Sequence, residues 1–339
     1  MSEKIRITQS GKSLGRDIAL SDRFSVSPKV SVVIPAYNIA PYIAESLESV
    51  FAQTFRDFEV VIVNDGSSDT VELERAIAPF RDKIIYIEKP NGGAASARNL
   101  GVKTARGELI AFLDGDDIWL PEFLASQIKF LEANDFDMVY ADAQFFGEGI
   151  KDFQTYMQFS KSNGAVTTES LISWECNVIT SGTVVSRDKI VKAGMFDESE
   201  TWRRGQDFEM WFRLLKNGAR VGYQREVLLK YRVRQGSLSG NPVQVAERNI
   251  NALNGIKAKF ELNQNEMAAL ERQLKISQAM WQIENGKAQI LNGEFGAARE
   301  SFAAANRHYR KLKLSFVGLM LKFAPRTLRR IFSRRADAF

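Results

Sequence analysis

Cysteine and histidine are almost missing from this 339-residue chain, with Cys176 and His308 the single representatives of each. One cysteine excludes a disulfide framework, and one cysteine beside one histidine excludes a Cys/His zinc site. Long apolar runs are also lacking, so nothing is expected to span a bilayer. The opening MSEKIRITQSGKSLGRD has no apolar core of the signal-peptide kind, and a cytoplasmic location is expected. Glycine-rich phosphate loops are missing too: no GxGxxG follows a strand, and the GKS at 11–13 has Arg6 where a P-loop requires glycine. An ordinary dinucleotide-binding dehydrogenase and a P-loop ATPase are thereby excluded.

The composition is that of a globular protein, 45% hydrophobic and 26% charged, with enough chain for one large domain or two smaller ones. The net charge of +5 conceals an asymmetry. Residues 306–339 carry ten Lys/Arg against Asp337 alone, so that stretch is +9 and the remainder −4. Basic residues confined to one end do not suit a nucleic-acid enzyme, and no nucleic-acid partner is expected.

Short β-branched runs alternate with helical patterns: VSVVIP (30–35), FEVVIV (58–63), KIIYIE (83–88), ELIAFL (108–113) and DMVYAD (137–142) read as strands of a buried sheet. Ile43, Leu47, Val50 and Phe51 recur at helical spacing, as do Leu124, Ile128 and Leu131 behind Pro121, which suits a first helical turn. A helix carrying Met210, Trp211, Leu214 and Leu215 follows Gln206 and Asp207. The order βαβαβ predicts an α/β fold, Rossmann-like, with a mostly parallel central sheet flanked by helices and ligands at the carboxyl ends of the strands. From about 241 the pattern is all-helical, with Asn285-Gly286 and Asn292-Gly293 expected as breaks. The predicted organisation is an N-terminal segment (1–28), an α/β domain (29–240) and a helical C-terminal region (241–339).

The polar strand ends are PAYN (35–38), NDGSSD (64–69) and FLDGDD (112–117), with NGGAASARN (91–99) before the last. Asp114, Asp116 and Asp117 crowd three carboxylates onto one strand end, and like charges at that spacing must be solvated or neutralised by a cation. A metal bound there must accept oxygen ligands, which points to Mg²⁺ or Mn²⁺.

Together with the QD of RRGQDFEMW and with YRVRQGSLS (231–239), these motifs occur in the order seen in family-two glycosyltransferases of the GT-A fold, which residues 29–240 resemble. The resemblance implies an inverting glycosyltransferase. Its nucleotide-diphosphate donor, a UDP-sugar in this reading, would contact Pro35, Tyr37, Asp65, Arg98, Asp114 and Arg234. Asp116, with Asp114, would hold the divalent ion as a DxD motif. Asp207 would act as general base, and Ser181, Gly182, Trp202 and Gln206 would shape the sugar and acceptor site. The acceptor would be a hydroxyl of a glycan or of a lipid-linked saccharide.

Each residue also has a plainer reading: Tyr37 as a half-buried core aromatic, Asp65 opening a DGSSD turn, Asp117 as part of an acidic turn or a helix cap, Asp207 as a helix cap, Trp202 as core. Two positions depart from the family pattern. Gln206 stands where a Glu often precedes the base, and Arg234 stands where many relatives have a metal-ligating His; arginine cannot ligate a cation but can clamp a diphosphate. The rival functions are a nucleotidyltransferase, which PAYNIAPYI disfavours because it lacks a basic phosphate loop, and a non-catalytic nucleotide-binding scaffold at a membrane.

The tail 312–335 interleaves apolar and basic residues, and Pro325 is expected to interrupt any helix there. It reads either as a helix lying on an anionic membrane surface, which would make the protein peripheral on the inner membrane face, or as a helix packed on its neighbours with solvated arginines.

Overall fold

The computed structural model describes residues 6–9, 12–13, 27–150, 154–234 and 241–336, which form two compact units, Met1–Val233 and Arg234–Phe339. The first unit is built on a ten-stranded sheet. In chain order its elements are β1 (Arg6–Gln9), β2 (Lys12–Ser13), β3 (Val30–Ala36), α1 (Ala40–Phe51), β4 (Phe58–Asp65), α2 (Thr70–Ile77), β5 (Ile85–Lys89), α3 (Gly93–Thr104), β6 (Leu109–Phe112), β7 (Ile118–Trp119), α4 (Phe123–Ala133), β8 (Met138–Gly147), α5 (Tyr156–Phe159), α6 (Thr168–Ile172), β9 (Thr183–Ser186), α7 (Arg187–Lys192), α8 (Gln206–Lys216) and β10 (Val221–Val233). The order across the sheet is β2-β1-β5-β4-β3-β6-β9-β8-β10-β7.

β5, β4, β3 and β6 form the parallel nucleus that the βαβ pattern predicts, in register Val30↔Phe58, Val61↔Ile85 and Val30↔Leu109. These strands are buried because both faces are covered, which is why their sequences are continuous β-branched runs and not alternating ones. Beyond β6 the sheet becomes mixed. β9 inserts antiparallel between β6 and β8, in register Leu109↔Ser186 and Met138↔Val185. Because it runs antiparallel to both neighbours, its start lies beside the carboxyl end of β6 and opposite Tyr140, early in β8. Residues 180–182, a single 3₁₀ turn that feeds β9, are thereby delivered to the edge where FLDGDD emerges. Two short strands not foreseen in the polar N-terminal segment, β1 and β2, extend the other edge, with β1 antiparallel to β5.

The helical periodicities hold. α1 buries Ile43, Leu47 and Val50 completely, and a fully buried aliphatic side chain contributes roughly 1.5–3 kcal/mol. α4 buries Leu124, Ile128 and Leu131, although it begins at Phe123, so Pro121 lies before its cap at Glu122 and not inside its first turn. Trp119 stacks on Phe123 with ring centroids 4.1 Å apart, and its indole N–H donates to Ser181 O at 2.7 Å. That bond ties the 180–182 turn to the core.

The second unit is helical throughout its described residues: α9 (Pro242–Lys259), α10 (Gln264–Asn292), α11 (Phe295–Tyr309), α12 (Leu312–Phe323) and α13 (Pro325–Ala336). Gly293 caps α10 in the left-handed conformation (φ 85°), as expected of Asn-Gly. Asn285-Gly286 does not break the helix. Gly286 sits inside α10 where a Cβ would come within 2.8 Å of the Phe302 ring on α11, so the glycine serves close helix packing. Pro325 does interrupt the tail, since α12 ends at Phe323 and α13 starts at the proline itself.

Candidate active site

The carboxyl ends of β3, β4 and β6 and the first turn of α8 bring the acidic motifs together with the 180–182 turn. Pro35 is half-buried near the end of β3, and Tyr37, just beyond it, is 52% exposed and therefore not the half-buried core aromatic of the plainer reading. Asn38 carries a positive φ (53°), with its side-chain oxygen accepting from Ser68 N and Oγ, both at 2.9 Å. This ties the end of β3 to the turn after β4.

Asp65 is buried and densely bonded. Its Oδ1 accepts from Lys89 Nζ at 2.7 Å and Gly92 N at 2.9 Å, and its Oδ2 from Gly93 N at 2.8 Å. Three of roughly four acceptor positions on the carboxylate are thus filled from within the protein. The turn itself is opened by Asn64, whose Oδ1 accepts from Ser67 N at 3.0 Å, and not by Asp65. Gly66 has no alternative, since its φ is 67° and a Cβ would lie 2.7 Å from Asn91 N.

Arg98, on α3, is only 5% exposed. Its Nη2 donates to Asp114 Oδ1 at 2.6 Å. The Gln206 amide is satisfied when its oxygen accepts from Arg98 Nη1 at 2.8 Å and its nitrogen donates to Arg203 O at 3.2 Å, the orientation we assign. One guanidinium therefore joins the FLDGDD end to the residue preceding Asp207. The Gln206 departure acquires a role here: an uncharged acceptor suffices because Asp114 already neutralises Arg98.

Asp114 N donates to Ser181 Oγ at 3.1 Å. Asp116 is half-buried, and its carbonyl accepts from Arg232 Nε at 2.7 Å. Asp117 closes a turn, its N–H donating to Asp114 O at 2.9 Å, as the acidic-turn reading expects, and caps no helix; it is 2% exposed, and its Oδ1 accepts from Arg232 N at 2.9 Å, which anchors β10. Burial pushes its carboxyl well above the usual carboxylate range, and the neighbouring Asp116 and Asp114 add to the effect.

Asp207 is the second residue of α8, whose cap is Gly205, so it is not the N-cap. Its Oδ2 accepts from Thr180 Oγ1 at 3.2 Å. Ser181 is buried and Gly182 is a packing glycine, since a Cβ there would lie 3.2 Å from Ala141 O and 3.3 Å from Leu229 Cδ2. Trp202 is 2% exposed, so its ring is core and offers no open face. Arg234 follows directly on β10 and is half-buried, whereas 235–240, the rest of YRVRQGSLSG, lie outside the described residues.

Several residues at the site were not singled out from the sequence. Lys89 was legible as a lysine closing the apolar strand KIIYIEK, and Arg232 as the residue two before Arg234. Arg232 pairs with Glu45 and lies 4.3 Å from the Phe146 ring centroid. Tyr156 and Tyr231, centroids 6.0 Å apart, form an aromatic wall with Phe145 and the exposed Phe159. Burial raises the Tyr231 hydroxyl above the ordinary tyrosine value, reinforced by Asp117, Asp114 and Asp116.

Among the described residues no group of three or more His, Cys, Asp or Glu gathers as a ready metal cage. Asp114 and Asp116 offer oxygen donors only. That set fits a hard cation that takes one or two carboxylates and completes its shell with phosphate and water.

The chain matches the glycosyl transferase family 2 profile over residues 31–193. It is 33% identical over 227 residues to an uncharacterized glycosyltransferase of Rickettsia typhi, covering 65% of this chain and 69% of that one. It spans about a third of some longer rickettsial relatives, such as one from Rickettsia felis (34%). It is also 32% identical over 237 residues to the Escherichia coli UDP-Glc:alpha-D-GlcNAc-diphosphoundecaprenol beta-1,3-glucosyltransferase WfaP, covering 69% of this chain and 89% of WfaP. Among solved structures, Staphylococcus aureus TarS 1–349 in complex with UDP superposes with a TM-score of 0.56 at 20% identity, over 87% of this chain and 91% of that one. The mannosyltransferase PcManGT from Pyrobaculum calidifontis, in complex with GDP-Man and Mn²⁺, gives 0.58 at 19%, over 93% and 86%. Motif order, a GT-A-like sheet and relatives above 30% identity agree: the chain belongs to the family-two glycosyltransferases.

Proposed function

We propose that this chain is an inverting glycosyltransferase that moves a sugar from a UDP-sugar donor to a hydroxyl of a glycan or lipid-linked acceptor. One observation carries the reading. The acidic strand end and Asp207 are secured to neighbouring residues, Asp114 N to Ser181 Oγ and Asp207 Oδ2 to Thr180 Oγ1, and Arg98 links Asp114 to Gln206 from the other side. A donor-binding pole and a proton-accepting pole then face one space.

In this mechanism Tyr37 and Pro35 flank the base, with the exposed Tyr37 ring available for stacking. Asp65 holds the 89–93 segment in place and keeps one acceptor position for the base. Arg98 and Arg234 serve the diphosphate. Asp207 takes the proton of the acceptor hydroxyl as its oxygen bonds to the sugar C1 on the face opposite the diphosphate, and the bond from C1 to the phosphate oxygen breaks. Attack from the opposite face inverts the anomeric centre. Asp116, with Asp114, is the pair that would hold Mg²⁺ or Mn²⁺, whose chemistry is to offset the charge on the departing nucleotide diphosphate. The Mn²⁺ and UDP complexes of structural neighbours support both assignments, and the WfaP name supports a lipid-linked acceptor. Such an acceptor would be met at the inner membrane face, so a peripheral cytoplasmic location belongs to the same reading.

The test is Asp207→Asn with UDP-sugars and a synthetic lipid-linked acceptor. Turnover is expected to fall ~10²- to 10⁴-fold with UDP affinity unchanged. Near-parental turnover, or a product of retained configuration by NMR, would overturn the mechanism.

A further inference from the structure

α12 is apolar on two opposite sides. Leu314, Val317 and Leu321 pack into the cluster around Phe302, Ile290 and Leu328, which accounts for one side. The other side is uncovered: Leu312 is 88% exposed, Phe316 60%, Leu319 54% and Phe323 71%. At 100° per residue these four fall within an arc of about 60°, directly opposite the packed side. Lys313 and Lys322 lie on either flank, roughly 90° from that edge. A solvated helix has no use for four large apolar side chains in one line, and solitary exposed apolar residues are ordinary where such a line is not.

The surrounding charge identifies what covers the edge. From Arg307 to Ala336 the sequence holds no Asp or Glu, and Arg326, Arg329 and Arg330 of the next helix are exposed. A second copy of the chain is disfavoured: the 4-3-4 spacing would make a seam of fewer than two heptads and would set Lys313 and Lys322 against their like. A nucleic acid would satisfy the cations and leave the apolar edge in water. A bilayer with anionic headgroups satisfies both. α12 is about 18 Å long at 1.5 Å per residue, against ~30 Å of hydrocarbon, so it can lie in the surface and not cross it.

We propose that α12 docks the protein on an anionic lipid bilayer, with Leu312, Phe316, Leu319 and Phe323 inserted below the headgroups, Lys313 and Lys322 at the lipid phosphates, and the exposed Arg326 and Arg330 adding to the attraction of the anionic surface. The inference deepens the function proposed above and rests on it for its purpose, since it names the surface on which a lipid-linked acceptor is reached.

Co-sedimentation of the full chain with phosphatidylcholine vesicles, with or without about 30% phosphatidylglycerol, tests it. Binding to the anionic vesicles is expected to exceed binding to the neutral ones at least ~10-fold, as several basic contacts near a charged surface require. Phe316→Glu with Phe323→Glu should lower it a further ~10-fold or more, and Lys313→Gln with Lys322→Gln should lower it on anionic vesicles alone. All four residues are exposed, so far-UV circular dichroism should be unchanged. Equal binding to both vesicle types, parental binding by the glutamate variant, or an α12-dependent dimer in sedimentation velocity without vesicle binding would overturn the proposal. UDP release with a water-soluble acceptor should be the same in parent and glutamate variant. Its absence in both, with docking intact, would count against glycosyl transfer and not against docking.

Discussion

Asp65→Ala offers a sharp test of how the proposed nucleotide end of the site is built. The substitution leaves Lys89, 9% exposed, without the carboxylate 2.7 Å away and removes the acceptor from Gly92 N and Gly93 N. Breaking a buried ion pair by deleting one partner costs about 3–5 kcal/mol, because the other charge stays buried and uncompensated. Lys89 keeps one bond, to Pro90 O at 2.6 Å, which argues for the lower half of that range. At roughly 2–4 °C per kcal/mol for a domain of this size, the first unfolding transition should fall by about 6–15 °C. Thermal melts followed by circular dichroism without nucleotide read this directly. Adding Lys89→Met should restore at least ~1 kcal/mol by removing the stranded charge. A melt within about 2 °C of the parent, with UDP affinity collapsed, would mean that Asp65 is a ligand contact only and not a structural partner of Lys89.

Two further outcomes are expected. The parent's UDP affinity, read by titration calorimetry, should depend on Mn²⁺ and Asp116→Ala should abolish that dependence, whereas identical affinities with and without chelator in the parent would remove the metal from the proposal. Gly286→Val should destabilise the helical unit by about 1–3 kcal/mol in urea unfolding, because the added side chain meets the Phe302 ring; an unchanged midpoint would mean that α10 and α11 part easily.

The parallel nucleus and its flanking helices were legible because Val30–Ala36, Phe58–Asp65 and the Ile43/Leu47/Val50 stripe are single-purpose sequences. A strand buried on both faces and a helix buried on one leave different periodicities. β9 was not read, since TVVS is four residues with no flanking pattern, yet its reversed direction is what delivers Thr180 and Ser181 to the site. Gly286 misled because glycine marks both chain breaks and close packing, and only the facing Phe302 tells which applies. Trp202 was ambiguous for a related reason: an aromatic near a motif looks alike whether its ring faces sugar or core. The pairing of Arg98 with Asp114 and Gln206 joins residues 98, 114 and 206, a contact that no local pattern encodes.

Thr180 and Ser181 are consecutive, and each holds one pole of the site. The spacing between those poles is therefore gauged by a single peptide unit, about 3.8 Å from Cα to Cα, although Asp114 and Asp207 are far apart in sequence. A ruler that short does not stretch. On the proposed assignment of Asp207 as base, changes elsewhere around the site can alter what an acceptor meets while this short link stays as it is, so that one reaction geometry would serve many specificities.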